Sequence, residues 1–153
     1  MRVLGIDYGA KRLGLALSDV SATLASPWRL ITRPVSDSET LELLVALIQT
    51  LVGEDDGLEA VVMGWPRRLD GRPTEQTRQV EALARMLESR VPLPIVLQDE
   101  RLSSHEAETR LAVRERDWRR RKHKLDAAAA AVILQDYLDG RPRVVAPSGD
   151  SLA

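Results

Sequence analysis

The sequence contains no cysteine, which excludes disulfide bonds and metal sites built from thiolates. Aromatic residues make up only 3% of the chain, too few for the base-stacking platform that single-strand nucleic-acid binders use. No apolar run approaches the length of a membrane span, and the first residues lack a signal-peptide layout. We therefore expect a globular protein with no membrane partner and a cytoplasmic location.

An excess of charge of one sign is also missing, since the net charge is −1 over 153 residues. The whole-chain balance therefore does not point to a polyanionic partner. The distribution is uneven, however. The stretch 114–124, "RERDWRRRKHK", is strongly basic, whereas 53–59, "GEDDGLE", is acidic. Local charge sets the field that a polyanion meets, so the basic stretch is either a solvated surface or a binding face.

The apolar patterns predict a mixed sheet with helices on both of its faces, in the α/β class. Predicted strands cover residues 2–8, 12–19, 23–33, 58–65 and 93–98, and Pro27 makes the third an edge or bulged strand. Helices are predicted after two capping boxes, "SDSE" at 36–39 and "SSHE" at 103–106, and over 74–90 and 125–138. We expect one domain over 1–142 and a flexible tail over 143–153.

Four carboxylates fall at the ends of these predicted elements. Asp7 ends the first strand, Asp99 and Glu100 follow the last strand, and Asp126 lies in the first predicted turn of the final helix. Strand ends can converge on one crevice, where gathered carboxylates would repel each other without a cation. Mg²⁺ and Mn²⁺ prefer such oxygen ligands. Five alanines at 127–131 would let the helix approach the sheet closely.

Each acid also has an ordinary structural interpretation. Asp7 can be a turn residue, and Asp126 can be an N-cap favoured by the helix dipole. The pair Asp99 and Glu100 can be solvated loop acids. Spacing alone leaves both interpretations open.

Four segments together resemble the YqgF/RuvX family of small ribonuclease H-like proteins. They are "GIDYGAKRLGLALSD" (5–19), "VVMGWPRRLDGRP" (61–73), "DERLSSHEAE" (99–108) and "KLDAAAAAVILQDYL" (124–138). Family members are described both as Holliday junction resolvases and as nucleases that process the 5′ end of pre-16S rRNA. The resemblance implies a ribonuclease H-like fold with a mixed five-stranded sheet, and a nuclease that uses Mg²⁺ or Mn²⁺. One segment departs from the family pattern: the loop "GWPRRLDGRP" carries a tryptophan and extra arginines.

The resemblance also assigns roles to residues. Asp7 and Asp126 match the catalytic aspartates of the first strand and the final helix, and both would bind metal. The middle catalytic carboxylate is Glu100 or Asp99; the longer Glu100 is favoured as the metal ligand because it reaches further past a strand end. Lys11, Arg12 and Arg101 match basic residues of the family and are expected to contact nucleic acid. The same contacts are expected, from their charge, of the loop arginines Arg67, Arg68 and Arg72 and of the basic run Arg119, Arg120, Arg121, Lys122 and Lys124.

Two other functions stay open from the sequence. One is a non-catalytic module that binds nucleic acid through its basic face. The other is an actin-like ATP-binding protein, because "GIDYG" before a hairpin also resembles a phosphate-binding opening; 153 residues supply only one of the two domains such proteins need. The substrate is either an rRNA precursor or branched DNA. A junction resolvase would be expected to act as a two-fold homodimer.

Overall fold

The computed structural model describes residues 1–66, 68, 70–99 and 118–140, with the backbone alone for 118–126. Within these residues the chain forms five strands and three helices. The strands are β1 (Arg2–Tyr8), β2 (Arg12–Ser18), β3 (Ala25–Thr32), β4 (Leu58–Trp65) and β5 (Ile95–Asp99). The helices are α1 (Asp37–Gly53), α2 (Glu75–Glu88) and α3 (Trp118–Gly140).

The strands form one mixed sheet in the order β3-β2-β1-β4-β5. The first three strands pair antiparallel, whereas β4 is parallel to both β1 and β5. The parallel strands are joined through α1 and α2, as expected for crossover connections. The predicted five-stranded mixed sheet is confirmed.

Helices cover both faces of the sheet, so β1 is a nearly continuous apolar run. Leu4, Ile6 and Tyr8 pack in the larger core with α1 and α2, while Val3 packs in a second core with α3. Alternate residues of β1 therefore serve opposite faces. Among the described residues, none of the helices is long and apolar enough to cross a membrane.

Local signals set several of the element boundaries. Ser36 caps α1, because its Oγ accepts a hydrogen bond of 3.1 Å from the amide of Glu39. The β2–β3 register shifts between Leu15 and Ala16, opposite Pro27, so the prediction of a bulged edge strand is confirmed. The second predicted capping box at 103–106 and the predicted tail at 143–153 lie outside the described residues.

One predicted boundary is wrong. Helix α3 begins at Trp118, not near residue 125, so Asp126 lies about two turns into the helix instead of in its first turn. The basic run 118–124 contains neither glycine nor proline, and arginine and lysine are good helix formers. This position excludes the interpretation of Asp126 as an N-cap.

Candidate active site

Asp7 lies on the face of the sheet against which α3 packs. Alternation along β1 places Asp7 on the same face as Gly5, two residues earlier. A Cβ built on Gly5 would stand 2.8 Å from the Cβ of Leu134 in α3. Asp7 is partly exposed, at the carboxyl end of β1. Its carboxylate is thus presented on the α3 face where the strand ends.

Glycines occupy the neighbouring positions on both adjacent strands. Asp7 pairs with Gly14 of β2. On the other side, the last β1–β4 pair is Ile6 with Met63, and Gly64 follows Met63. Both glycines are buried, and neither adds a side chain beside the Asp7 carboxylate.

Helix α3 runs antiparallel to β1 across this face. Near its C-terminus, Gln135 Oε1 accepts a hydrogen bond of 2.9 Å from the amide of Ala25, and Ala25 pairs with Ser18 at the end of β2 far from Asp7. Further back along the helix, the carbonyl oxygen of Ala130 is 3.2 Å from the position of a Cβ on Gly5. The N-terminal half of α3 therefore extends toward Asp7.

The helix backbone brings position 126 to the level of Asp7. Asp126 precedes Ala130 by four residues, which is about one turn and roughly 6 Å of rise. From Gly5 to Asp7, β1 advances by a similar distance, so position 126 lies at the level of Asp7. Ala130 is fully buried, as the expected close approach of the alanine run requires. The structure thus brings β1 and α3 together as the sequence predicted.

Asp99 lies on the other face of the sheet. It pairs with Trp65 of β4, and Trp65 Nε1 donates a hydrogen bond of 3.0 Å to Glu81 Oε2 of α2. Paired residues on adjacent strands share a face, so Asp99 faces α2 while Asp7 faces α3. Strand alternation therefore places Asp99 and Asp7 on opposite faces of the sheet.

The other residues expected at the site fall into three groups. Arg12 is partly buried and lies on the Asp7 face, two residues before Gly14, whereas the adjacent Lys11 is exposed. Arg68 and Arg72 are exposed in the turn after β4, where the Arg68 amide bonds to the Arg72 carbonyl at 2.9 Å. Outside the described residues or side chains lie Arg67, Glu100, Arg101, Arg119, Arg120, Arg121, Lys122, Lys124 and the carboxylate of Asp126.

Behind Asp7, on the α1–α2 face, Tyr8 is buried and anchored. Its hydroxyl donates to Asp37 Oδ1 at 3.1 Å, and the guanidinium of Arg33 stacks 4.6 Å from the ring centre. Burial raises the pKa of Tyr8, and the charge of Arg33 only partly opposes this rise. Tyr8 therefore stays neutral at physiological pH and acts as an anchor for the end of β1.

Sequence reasoning missed two kinds of residue here. Gly14 and Gly64 stand inside strand patterns, which is a known signal of close approach by a ligand or backbone. Gln76 and Arg33 contact the backbone that follows Asp7, and no local pattern in the sequence predicts these long-range contacts.

The donor chemistry at Asp7 fits a hard divalent cation. Within the described part of the chain there is no group of three histidine, cysteine or acidic side chains that could hold a metal. Asp7 supplies one carboxylate between two glycine positions, and α3 brings the backbone of a second acidic position to the same level. Carboxylate oxygens are the donors that Mg²⁺ and Mn²⁺ prefer.

The comparisons with known proteins agree with this geometry. The family model for RuvX, described as Holliday junction resolvase, matches residues 1–140. The chain belongs to the RuvX family. This is a nuclease family, so the expected class, a phosphodiester hydrolase, is confirmed.

Two relatives of this RuvX-family chain carry the name "Putative pre-16S rRNA nuclease". The protein of Maridesulfovibrio salexigens is 44% identical over 138 residues, 90% of this chain and 98% of that protein. The protein of Nitratidesulfovibrio vulgaris is 40% identical over 139 residues, 91% of this chain and 94% of that protein.

Among solved structures, T. thermophilus RuvC in complex with a Holliday junction substrate superposes with a TM-score of 0.51 at 19% identity. The match covers 87% of this chain and 91% of RuvC. At this identity the likeness shows the fold alone, and it confirms the expected ribonuclease H-like architecture.

Proposed function

We propose that this chain is a divalent-metal-dependent nuclease that hydrolyses phosphodiester bonds in structured nucleic acid. The observation that carries the proposal is the setting of Asp7. Its carboxylate ends a buried strand, lies between two glycine positions, and faces the helix that bears Asp126. An aspartate that only ended the strand would need neither the two glycine neighbours nor the closely packed helix.

Strand alternation favours Glu100 over Asp99 as the middle carboxylate. Val96 of β5 packs in the core beneath α3, so positions 96 and 98 belong to the face of Asp7. The next position of that parity is 100. We therefore assign Asp7, Glu100 and Asp126 as metal ligands and give Asp99 no catalytic role.

The proposed cofactor is Mg²⁺ or Mn²⁺, which when bound supplies a water of lowered pKa and stabilises charge on the leaving oxygen. The chain's own residues bind and orient. Arg12 lies on the Asp7 face, and Lys11 is exposed beside it, so both can contact phosphate oxygens near the carboxylate. Such contacts fix the position of the substrate backbone without reading its sequence.

A second basic group lies further along α3. The helical backbone of 118–124 continues directly into Asp126, so its five arginines and lysines stand within about 10 Å of rise of that residue. We assign them to phosphate contacts next to the reacting bond. The same role is proposed for Arg67, Arg68, Arg72 and Arg101.

We propose an rRNA precursor as the substrate, because both relatives aligned over more than nine tenths of their length are named for pre-16S rRNA. The test compares an RNA spanning the 5′ end of 16S rRNA with a four-way DNA junction, each with Mg²⁺ or Mn²⁺. Junction cleavage without RNA cleavage would reverse the substrate assignment and would predict a two-fold dimer on the junction, measurable by sedimentation.

The control variants separate catalysis from folding. Asp7→Asn removes one ligand charge with almost no change in volume and should abolish cleavage. Asp55→Asn, at an exposed acid in the turn after α1, should cleave at the wild-type rate. Equal activity of Asp7→Asn and wild type would contradict the proposal. Salt-sensitive RNA binding with no cleavage under either metal would favour the non-catalytic module.

A further inference from the structure

The backbone just after Asp7 lies beyond the parallel ladder. Pairing between β1 and β4 ends at Ile6 with Met63, so the next residues of β1 are not held by β4. The carbonyls of Tyr8 and Gly9 instead accept hydrogen bonds from side chains of distant elements. Both carbonyls lie within two residues of the proposed metal ligand.

Gln76 holds the first of these carbonyls. Its Nε2 donates to the Tyr8 carbonyl at 2.7 Å, across 68 residues of sequence. The first turn of α2, which carries Gln76, is itself fixed. Thr74 and Thr77 bond reciprocally in a capping box, and Thr77 Oγ1 also donates to the Pro66 carbonyl. The side-chain amide of Gln76 therefore extends from a helix N-terminus that several hydrogen bonds hold in place.

Arg33 holds the second carbonyl. Its Nη1 donates to the Gly9 carbonyl at 3.0 Å while its guanidinium stacks on the Tyr8 ring. The amide of Arg33 in turn donates to the Lys11 carbonyl at 2.9 Å. One residue thus fixes both sides of the β1–β2 turn.

We infer that Gln76 and Arg33 are positioning residues that fix the peptide after Asp7 and so aim its carboxylate at the metal. The inference rests on the proposed function. Gln76 comes from α2 and Arg33 stacks on Tyr8, so both act from the face opposite the carboxylate and neither is assigned contact with substrate. Removing the hydrogen bonds that support a metal ligand generally lowers the affinity of the site for the metal, because the ligand is then held less firmly.

Gln76→Met keeps the length of the side chain and removes the donor. The matched control is Gln79→Met, the same change on a partly exposed residue one turn further along α2. Two readouts are followed against Mn²⁺ concentration: cleavage rate, and the metal-induced rise in melting temperature, which needs no catalysis. Arg33→Lys is the second variant, because it keeps the positive charge and loses the guanidinium that reaches Gly9.

We expect Gln76→Met and Arg33→Lys to raise the Mn²⁺ midpoint, the Mn²⁺ concentration that gives half of the maximal effect, about 10-fold in both readouts. Cleavage at saturating metal should stay near normal. Gln79→Met should keep the wild-type midpoint. A purely structural role would lower the metal-free melting temperature and leave the midpoint unchanged; that result in either folded variant would overturn the inference. If wild-type protein shows neither metal-dependent cleavage nor a metal-induced shift, the proposed function itself fails, and the inference fails with it.

Discussion

Gly5 of β1 lies directly against Leu134 of α3, and a Cβ on the glycine would stand only 2.8 Å from the Cβ of the leucine. Real Cβ atoms do not approach this closely, so only glycine permits the observed packing. The contact also determines how near α3 comes to β1. Because Asp7 and Asp126 lie on these two elements, the packing at Gly5 determines the separation of two proposed ligands.

Gly5→Ala should therefore reduce both stability and activity. Overpacking a filled core costs about 1–3 kcal/mol, and each kcal/mol lowers the melting temperature of a domain this size by about 2–4 °C. Displacement of α3 should also raise the Mn²⁺ midpoint. Thermal melts with and without Mn²⁺ measure both effects. The control is Gly53→Ala, where nothing lies within 4 Å of the added Cβ. Wild-type stability and metal response in Gly5→Ala would show that the helix contact is not tight.

The sequence was sufficient for the sheet because its signals are local. A strand covered on both faces is a nearly continuous apolar run, as "VLGI" in β1 and "AVVMGW" in β4 are. The start of α3 was not predictable in this way, since 118–124 shows no apolar periodicity and is helical through propensity and the lack of a breaker. Periodicity detects a helix that buries a face, and this end of α3 lacks that pattern.

The choice between Asp99 and Glu100 could not be made from the sequence for a different reason. Adjacent residues of a strand point to opposite faces, so the assignment depends on which face position 99 takes. The face of position 99 depends on the β4–β5 register and on Trp65 meeting Glu81 of α2. Those contacts join residues far apart in the chain, and no local pattern encodes them.

The two acids should consequently differ sharply when each is neutralised. Glu100→Gln should lower kcat by at least about 100-fold, the loss expected when a reacting group is misplaced. Asp99→Asn should stay within a few-fold of wild type, because position 99 belongs to the α2 face. Single-turnover cleavage at saturating Mn²⁺ measures both. A large loss in Asp99→Asn with an active Glu100→Gln would reverse the assignment of the middle carboxylate.

The glycine position beside Asp7 on β4 can be tested by adding a side chain there. Gly64→Val places a branched side chain next to the carboxylate on β4, where it would occupy the volume needed by a cation and its waters. We expect the metal-induced rise in melting temperature to disappear in Gly64→Val protein that still melts cooperatively without metal. Ala60→Val, four residues earlier on the same face, is the control for added volume. A normal metal response in Gly64→Val would place the cation elsewhere.

Asp19 predicts a pH dependence of stability. Its Oδ1 accepts hydrogen bonds from the amides of Thr23 at 2.7 Å and Leu24 at 3.0 Å, and Ser21 donates to Oδ2, which together lower the pKa of Asp19. A carboxyl with a depressed folded pKa stabilises the fold above its unfolded pKa of about 3.9 and loses this effect as pH falls through the folded value.

Asp19→Asn should therefore melt below wild type at pH 7, and the difference should shrink as the pH is lowered past 4, in the range of that unfolded value. Because all other groups titrate alike in both proteins, the difference isolates Asp19. The exposed control Asp55→Asn should track wild type at every pH. A melting difference for Asp19→Asn that stays constant down to pH 3, well below about 3.9, would contradict the argument.

The last prediction concerns nucleic-acid binding by the basic start of α3. If residues 119–124 contact phosphates, each lost charge should reduce the dependence of log K on log salt by about 0.9 for duplex or 0.7 for single strands. Binding is measured without metal in the Asp7→Asn background, so that cleavage does not interfere. Arg120→Gln with Arg121→Gln should reduce the slope by about 1–2. The matched pair Arg78→Gln with Arg85→Gln, at exposed positions of α2, should leave it unchanged. An equal change in both pairs would mean that net charge, not this segment, governs binding.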